Sequence, residues 1–294
     1  MFAAAAAIAV CAENKIANSS FEAGDTGFST MQNQILGKES KKAYLPVWTK
    51  GNAPHGEYFL KFPETDGKKV EFMSPEIPLP EKERIYTVSA WLRSEKPTTV
   101  HLGFFQVTHS LPKVRNYWTG LNRKFQIGPE WKRYSATFKI PAAHQYGFAI
   151  LSWDQGTVSL DGIQFEAGKG SAYAPRYPVE IQMGKSPEIS SIGKKEIALH
   201  GFNDLPKSVT AKGDLTMNGK KIPFTLQMEA KKGAEIKIPV DLDRYGIQKI
   251  TGNYTADTCS GTMLPWVTAV MHPLPKTKLD LAKEFAIGDR KSVV

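Results

Sequence analysis

Thr157–Arg176 reads TVSLDGIQFEAGKGSAYAPR, and this stretch decides the fold. Val158 and Leu160, then Ile163 and Phe165, are apolar residues at spacing two, the period of a strand with one buried face. Asp161-Gly162 falls between the two pairs and shifts the phase, which marks a β-bulge. After Glu166, Ala167–Gly170 is a sequence that no strand interior favours, and Tyr173-Ala174-Pro175-Arg176 reads as an exit peptide. The stretch is the last strand of one β domain, its closing turn and its way out.

Working outward, Ile85–Ser94 alternates cleanly. Tyr86, Val88, Ala90 and Leu92 face one way, and Thr87, Ser89, Trp91 and Arg93 the other. Val100–Val107 repeats the pattern, with Val100, Leu102 and Phe104 inward and His101, Gly103 and Phe105 outward. Gly56–Phe62, Lys69–Met73, Trp131–Ile140 and Gly147–Trp153 are further strands. Residues 13–24 read as strand, turn and strand start. Residues 25–55 read as polar and turn-rich around isolated Tyr44, Val47 and Trp48, and His109–Leu121 as a basic and aromatic loop. Roughly eight short strands at about ten-residue spacing, with no long helical period, predict a β-sandwich.

From Pro178 the aromatics thin out and Lys becomes frequent. Ile197–Phe202, Val209–Met217, Ile222–Glu229, Ala234–Val240, Ile247–Ala256 and Leu264–Met271 read as strands, with a hairpin turn at Asn218-Gly219 and another turn at Lys231–Gly233. A unit of about a hundred residues with this pattern has the size of an immunoglobulin-like sandwich, and Asp241–Gly246 reads as the polar approach to one of its late strands.

These phrases carry a resemblance. Asn14–Gly24, NKIANSSFEAG, matches the opening N-x-x-x-x-x-S-F-E-x-G of secreted carbohydrate-binding modules of the four/nine/twenty-two, galactose-binding-like type. Phe59–Phe62, Phe72–Leu79 and Trp131–Phe138 are similar to interior phrases of that family. Asp161, Gln164–Gly168 and Tyr173–Arg176 are similar to its close. The resemblance covers about half the chain, through Arg176. It implies a jelly-roll β-sandwich, and by the same likeness an immunoglobulin-like domain that stands before a glycoside hydrolase catalytic domain. The expected architecture is all-β: a signal peptide (1–12), a jelly roll (13–177), a smaller immunoglobulin-like β-sandwich (178–275), and a linker or the start of a further domain (276–294).

Composition narrows the class. With 38 Lys and Arg against 29 Asp and Glu, the chain carries +9, which reads either as a basic solvated surface or as attraction to polyanions such as sulfated or uronic-acid glycans. The basic residues are interspersed with acids and form no nucleic-acid motif, so no nucleic acid is expected as partner. Cys11 and Cys259 are the two cysteines. Cys11 lies in the leader, which leaves one thiol and excludes a Cys/His metal cluster. Phe2–Ala12 looks like the apolar core and cleavage site of a signal peptide and is too short to span a bilayer. A secreted or periplasmic location follows, with lipid anchoring at Cys11 second because Val10 suits it poorly.

Sugar rings stack their C–H faces on aromatic faces, and their hydroxyls take charged or amide partners. Trp91, flanked by Ser89 and Arg93, fits that need, with His101 and Phe105 on a neighbouring exposed row. Trp118, beside Tyr117 and Arg115, lies in a loop that rims the same face, as does Trp48. The alternative is that Trp91 packs under a loop and Phe105 belongs to the core. Trp131 and Tyr134 are assigned to packing. By the family resemblance, Glu22 and Asp161 hold one structural Ca²⁺, completed by backbone carbonyls. Gly162 stands where the family often has a second acid, and the other reading is a bulge-capping Asp and a surface Glu. No strand carries two exposed acids at spacing two, so no glycosidase pair is legible. The expected function is non-catalytic binding of a polysaccharide or glycan beside a catalytic domain. The alternative is a structural or adhesive module that packs against a neighbouring domain.

Overall fold

The computed structural model describes residues 14–30, 45–65, 67, 69–79, 84–107, 121–140, 146–257 and 259–272. The expected signal peptide, Trp118 with its loop neighbours, and residues 276–294 lie outside the described residues. No helix occurs among the described residues, so none is long and apolar enough to cross a membrane.

The first eleven strands are β1 (Ser29–Thr30), β2 (Val47–Lys50), β3 (Tyr58–Lys61), β4 (Val70–Met73), β5 (Ile77–Pro78), β6 (Arg84–Arg93), β7 (Thr98–Val107), β8 (Leu121–Ile127), β9 (Lys132–Ile140), β10 (Tyr146–Trp153) and β11 (Ser159–Ala167). They form two antiparallel sheets. One has the order β1-β4-β10-β7-β8, with β5 beside β10, and the other β2-β3-β11-β6-β9. Period-two alternation sends Val88, Leu92, Leu102, Phe104, Leu160 and Phe165 into one core between the sheets. Rings of Tyr86 and Phe104 stack on Phe165 at 4.8 and 4.6 Å.

β11 is buried on both faces from Ser159 to Glu166. Its outward polar side chains lie under the exit peptide. Ser171 donates from N and Oγ to the two Glu166 oxygens at 2.9 and 2.7 Å, and Thr87 Oγ1 donates to Gly168 O at 2.7 Å. The expected bulge is present: the register against β6 shifts between Asp161 and Gln164, and Gly162 sits at φ +54°. A Cβ there would stand 2.9 Å from Trp91 Cδ1, so a side chain is excluded by both space and backbone.

On β11, β3 reaches only Ser159 and Leu160, and beyond the bulge residues 14–19 take over that edge. Lys15 N donates to Phe165 O and Ile163 N to Ser19 O, both at 2.9 Å. Asn14 spends its whole amide here. Oδ1 accepts from Phe165 N (3.2 Å) and Ile16 N (3.1 Å), and Nδ2 donates to Ser19 Oγ (3.0 Å), Ile163 O and Ala174 O (3.2 Å each). The strand expected in residues 13–24 is therefore absent from 14–24, which fold into successive turns held by side chains. Residues 25–55, expected to be irregular, contain β1 and β2, short edge strands whose ladders are completed by β4 and β3.

The second group is β12 (Val179–Met183), β13 (Ile189–Ser190), β14 (Gly193–Asn203), β15 (Val209–Met217), β16 (Lys220–Met228), β17 (Gly233–Leu242), β18 (Gly246–Ala256), β19 (Cys259–Thr262) and β20 (Trp266–Val270). β12-β14-β17 faces β13-β20-β18-β15-β16, with β19 beside β18 and β13 parallel to β20. Lettered in chain order without β19, this is ABE against A′GFCC′, an immunoglobulin-like arrangement around its own core.

The two sandwiches meet at polar contacts. Asn18 N donates to Glu180 Oε1 at 3.2 Å, Thr26 Oγ1 to Met183 O at 3.0 Å, and Lys185 pairs with Asp25 at 2.6 Å. Burial pushes Glu180 up to about 8, against the pull of the Asn18 N–H and Arg176.

Asn14→Ala leaves the Phe165 N–H and Ile163 C=O buried without that partner. It is expected to cost about 2–4 kcal/mol of unfolding free energy, read from urea denaturation; a loss near zero would show that water replaces the amide. Folding raises the Glu180 pKa from 4.5 to about 8, so its stabilisation is full below pH 4.5 and vanishes as pH rises toward 8. Melting temperature should therefore fall between pH 5 and 8, and Glu180→Gln should flatten the fall. The same slope in both proteins would exclude Glu180 as its source.

Candidate functional site

The outer face of the first sheet is assembled by register. His101 stands opposite Ser152 and Lys124, Gly103 opposite Ile150 and Asn122, and Phe105 opposite Phe148. The centre of this face is apolar and closed, with Phe105, Ile150 and Met73 buried. Its end opens into a cavity of about 410 Å³ lined by Thr99, His101, Lys124, Ser152, Asp154 and Gln155, among others. His101 Nδ1 lies 3.3 Å from Asn122 Oδ1, which orients the ring. The lining alternates cation, anion, amide and hydroxyl, a set that exchanges hydrogen bonds with a polyhydroxylated ligand.

Trp91 and Arg93 lie on the other sheet. β6 and β7 are consecutive in the chain but belong to opposite layers, so the expected neighbouring row of Trp91, Arg93, His101 and Phe105 does not form. On this second face the rings already have cations of the chain itself. The Arg93 guanidinium lies 5.0 Å from the Phe59 ring and 4.6 Å from Trp131, and that of Arg133 lies 5.9 Å from Trp91. Arg133 is held there by Ser89 Oγ at 2.7 Å and by Gly162 O and Gln164 Oε1 at 3.1 Å. Trp131, assigned to packing from sequence, stands half-exposed with Nε1 donating to Asn52 O, while Tyr134 does pack against the core.

Trp48 rims neither face. Its ring stacks on Tyr58 at 4.2 Å and meets His200 of the second sandwich edge-on at 5.4 Å, and Nε1 donates to Phe21 O at 2.7 Å. Sequence reasoning missed Lys124, Ser152 and Asp154. Ser152 follows from β10 alternation once its faces are known, while Asp154 lies in the bend just past the strand. Lys124 sits in β8, an edge strand whose NRKFQ interior hides the period.

Glu22 and Asp161 come together around the loop 55–58. Glu22 Oε1 accepts the Glu57 and Tyr58 N–H groups at 3.0 and 2.9 Å. Asp161 Oδ2 accepts the His55 N–H at 2.9 Å, and Oδ1 accepts that of Gly162 at 2.7 Å. Asp161 thus caps the bulge, while Glu22 is buried rather than in a surface ion pair. Burial pushes Glu22 up to about 7 and Asp161 well above the carboxylate range, and the two charges repel. Glu22 Oε2 is buried without a partner. Two desolvated, mutually repelling carboxylates with an orphan oxygen fit a hard cation such as Ca²⁺. No group of three His, Cys, Asp or Glu side chains suited to a metal exists among the described residues, so backbone carbonyls would complete the shell.

No protein-family model matches this chain, and no curated protein does. Among solved structures it is similar to a family 16 carbohydrate-binding module, with 19% identity, covering 52% of this chain and 99% of the other, at TM-score 0.37. A CBM4 structure is similar at 13% identity, covering 52% and 99%, also at TM-score 0.37. The tandem CBM22-1-CBM22-2 domain of Paenibacillus barcinonensis Xyn10C is similar at 10% identity, covering 81% and 87%, at TM-score 0.38. These three neighbours are carbohydrate-binding modules.

Proposed function

We propose that this chain binds a glycan without acting on it, and that the first sandwich holds the sugar at the cavity of His101, Lys124 and Ser152. The observation that carries this reading is the cavity itself, a recess of about 410 Å³ with donors and acceptors of every needed kind around it. Lys124 donates, Asp154 accepts, and Gln155, Ser152 and His101 do either, which suits ring hydroxyls that are donor and acceptor at once. Half-buried Phe148, its ring centroid 6.4 Å from that of buried Phe105, gives the same face one apolar side chain for C–H groups. Secretion, and service as the accessory region of a glycoside hydrolase catalytic domain, complete the proposal. One structural Ca²⁺ held by Glu22 and Asp161 would neutralise the buried pair and tie loop 55–58 to β11.

A second reading has an observation of its own. Ile189, Ala269 and Ile247 form one cross-strand row on the second sandwich, and Ile247 is 78% exposed, Ile189 64% and Met271 57%. Such a row suits packing against a neighbouring domain.

Affinity electrophoresis in gels containing xylan or β-glucan tests the first reading. His101→Ala with Lys124→Ala removes about 1–2 kcal/mol of hydrogen bonding and should weaken retention about tenfold. Loss of retention in Trp91→Ala, with the His101 and Lys124 variant unaffected, would move the ligand to the other sheet and end this reading. For the metal, calcium added to chelator-treated protein at pH 7 should raise the melting temperature by about 5 °C. Glu22→Gln should remove that rise, and equal melting with and without calcium would dismiss the site.

A further inference from the structure

A larger recess lies on the outer face of the second sandwich. It encloses about 790 Å³ and takes three consecutive residues from each of four adjacent strands: Lys212–Asp214, Pro223–Thr225, Asn253–Thr255 and Ser260–Thr262. The ladders set Thr225, Lys212, Thr255 and Ser260 in one cross-strand row. Pro223, Asp214, Asn253 and Thr262 form a second, parallel row. Alternation turns Phe224 and Tyr254, in the row between, into the core. Backbone therefore forms the floor of a valley that runs across the strands.

Strand geometry sets its size: about 7 Å between rows two residues apart, and about 14 Å over three inter-strand spacings. That is the girth of a chain one ring wide, lying at right angles to the strands. The walls offer hydroxyls from Thr225, Thr255, Ser260 and Thr262 and the amide of Asn253, all exposed, with buried Gly261 of β19 between Ser260 and Thr262. The charged lining residues are Lys212 and Asp214, the latter also 3.9 Å from Lys221 at the rim, so the lining itself carries no net charge on a chain that is +9 as a whole. Tyr177 lines the recess as well and supplies an aromatic ring, with the Arg176 guanidinium 5.2 Å from its centroid.

We infer that this valley is a second saccharide-binding surface, one that takes an extended, uncharged polysaccharide. Neutral hydroxyl and amide walls match ring hydroxyls, and the absence of net charge in the walls gives a polyanion no preference. The surface is separate from the first-sandwich cavity and does not depend on it.

The intact chain is run in gels carrying neutral arabinoxylan, neutral mixed-linkage β-glucan or anionic alginate. Asn253→Ala with Thr255→Val changes exposed side chains, and unchanged thermal melting confirms the fold. Retention by a neutral polymer should weaken about fivefold in this variant, and further when combined with His101→Ala and Lys124→Ala. Amide shifts at 212–214 and 253–255 on adding an oligosaccharide of the retarding polymer should accompany it. Unchanged retention in the valley variant, retention by alginate alone, or no retention by either neutral polymer overturns the inference. Binding lost in the valley variant but kept in the first-sandwich variant leaves it standing and removes the first-sandwich reading instead.

Discussion

A strand buried on both faces must find partners for every outward polar group without water, and β11 is such a strand. Asp161, Gln164 and Glu166 are fully buried, and an unmatched polar group there would cost about 1–3 kcal/mol. The solution draws in segments far apart in the chain. Loop 55–58 covers Asp161, Arg133 and Ala174 N reach Gln164 Oε1, Ser171 takes Glu166, and Asn14 fills the bulge. Tyr173 OH closes the set against Ser19 Oγ at 2.8 Å. The N-terminal turns and the exit peptide are thereby parts of the sheet, although neither is a strand.

The same burial separates the two faces of the first sandwich. On the β6 side, the aromatic rings are partnered by Arg93 and Arg133, which the bulge network holds in place. On the β7 side, polar side chains converge on an open cavity at the end of the sheet. Desolvated acids continue toward the second sandwich, where Glu180 accepts from Asn18 only four residues before Glu22. His55 links both regions, through its N–H to Asp161 and its ring to Asp204 at 3.3 Å. Side chains that fix the last strand of one sandwich therefore also seat the other.

Much of this was legible in the chain. The phase change between Leu160 and Ile163 announces the bulge, because only an extra residue keeps both pairs on one face. Long alternating segments such as Tyr86–Leu92 and Val209–Met217 reveal their inward side, and Asn218-Gly219 reveals its hairpin. β1, β2, β5, β8, β12, β13 and β19 were not legible. Most are short, and their ladders exist because a longer strand presents an edge to them.

What the sequence alone determined is the alternation within each strand, since the side-chain period of two is local. It determined the all-β class and the inward and outward sets for the same reason. Only the tertiary structure decided which strands share a sheet, because that depends on pairing between residues distant in the chain. Trp91 and His101 both face outward, yet they look in opposite directions, since β6 joins β11 and β7 joins β10. Lys212, Thr225, Thr255 and Ser260 form one wall for the converse reason: four local patterns meet in one register that no single strand encodes.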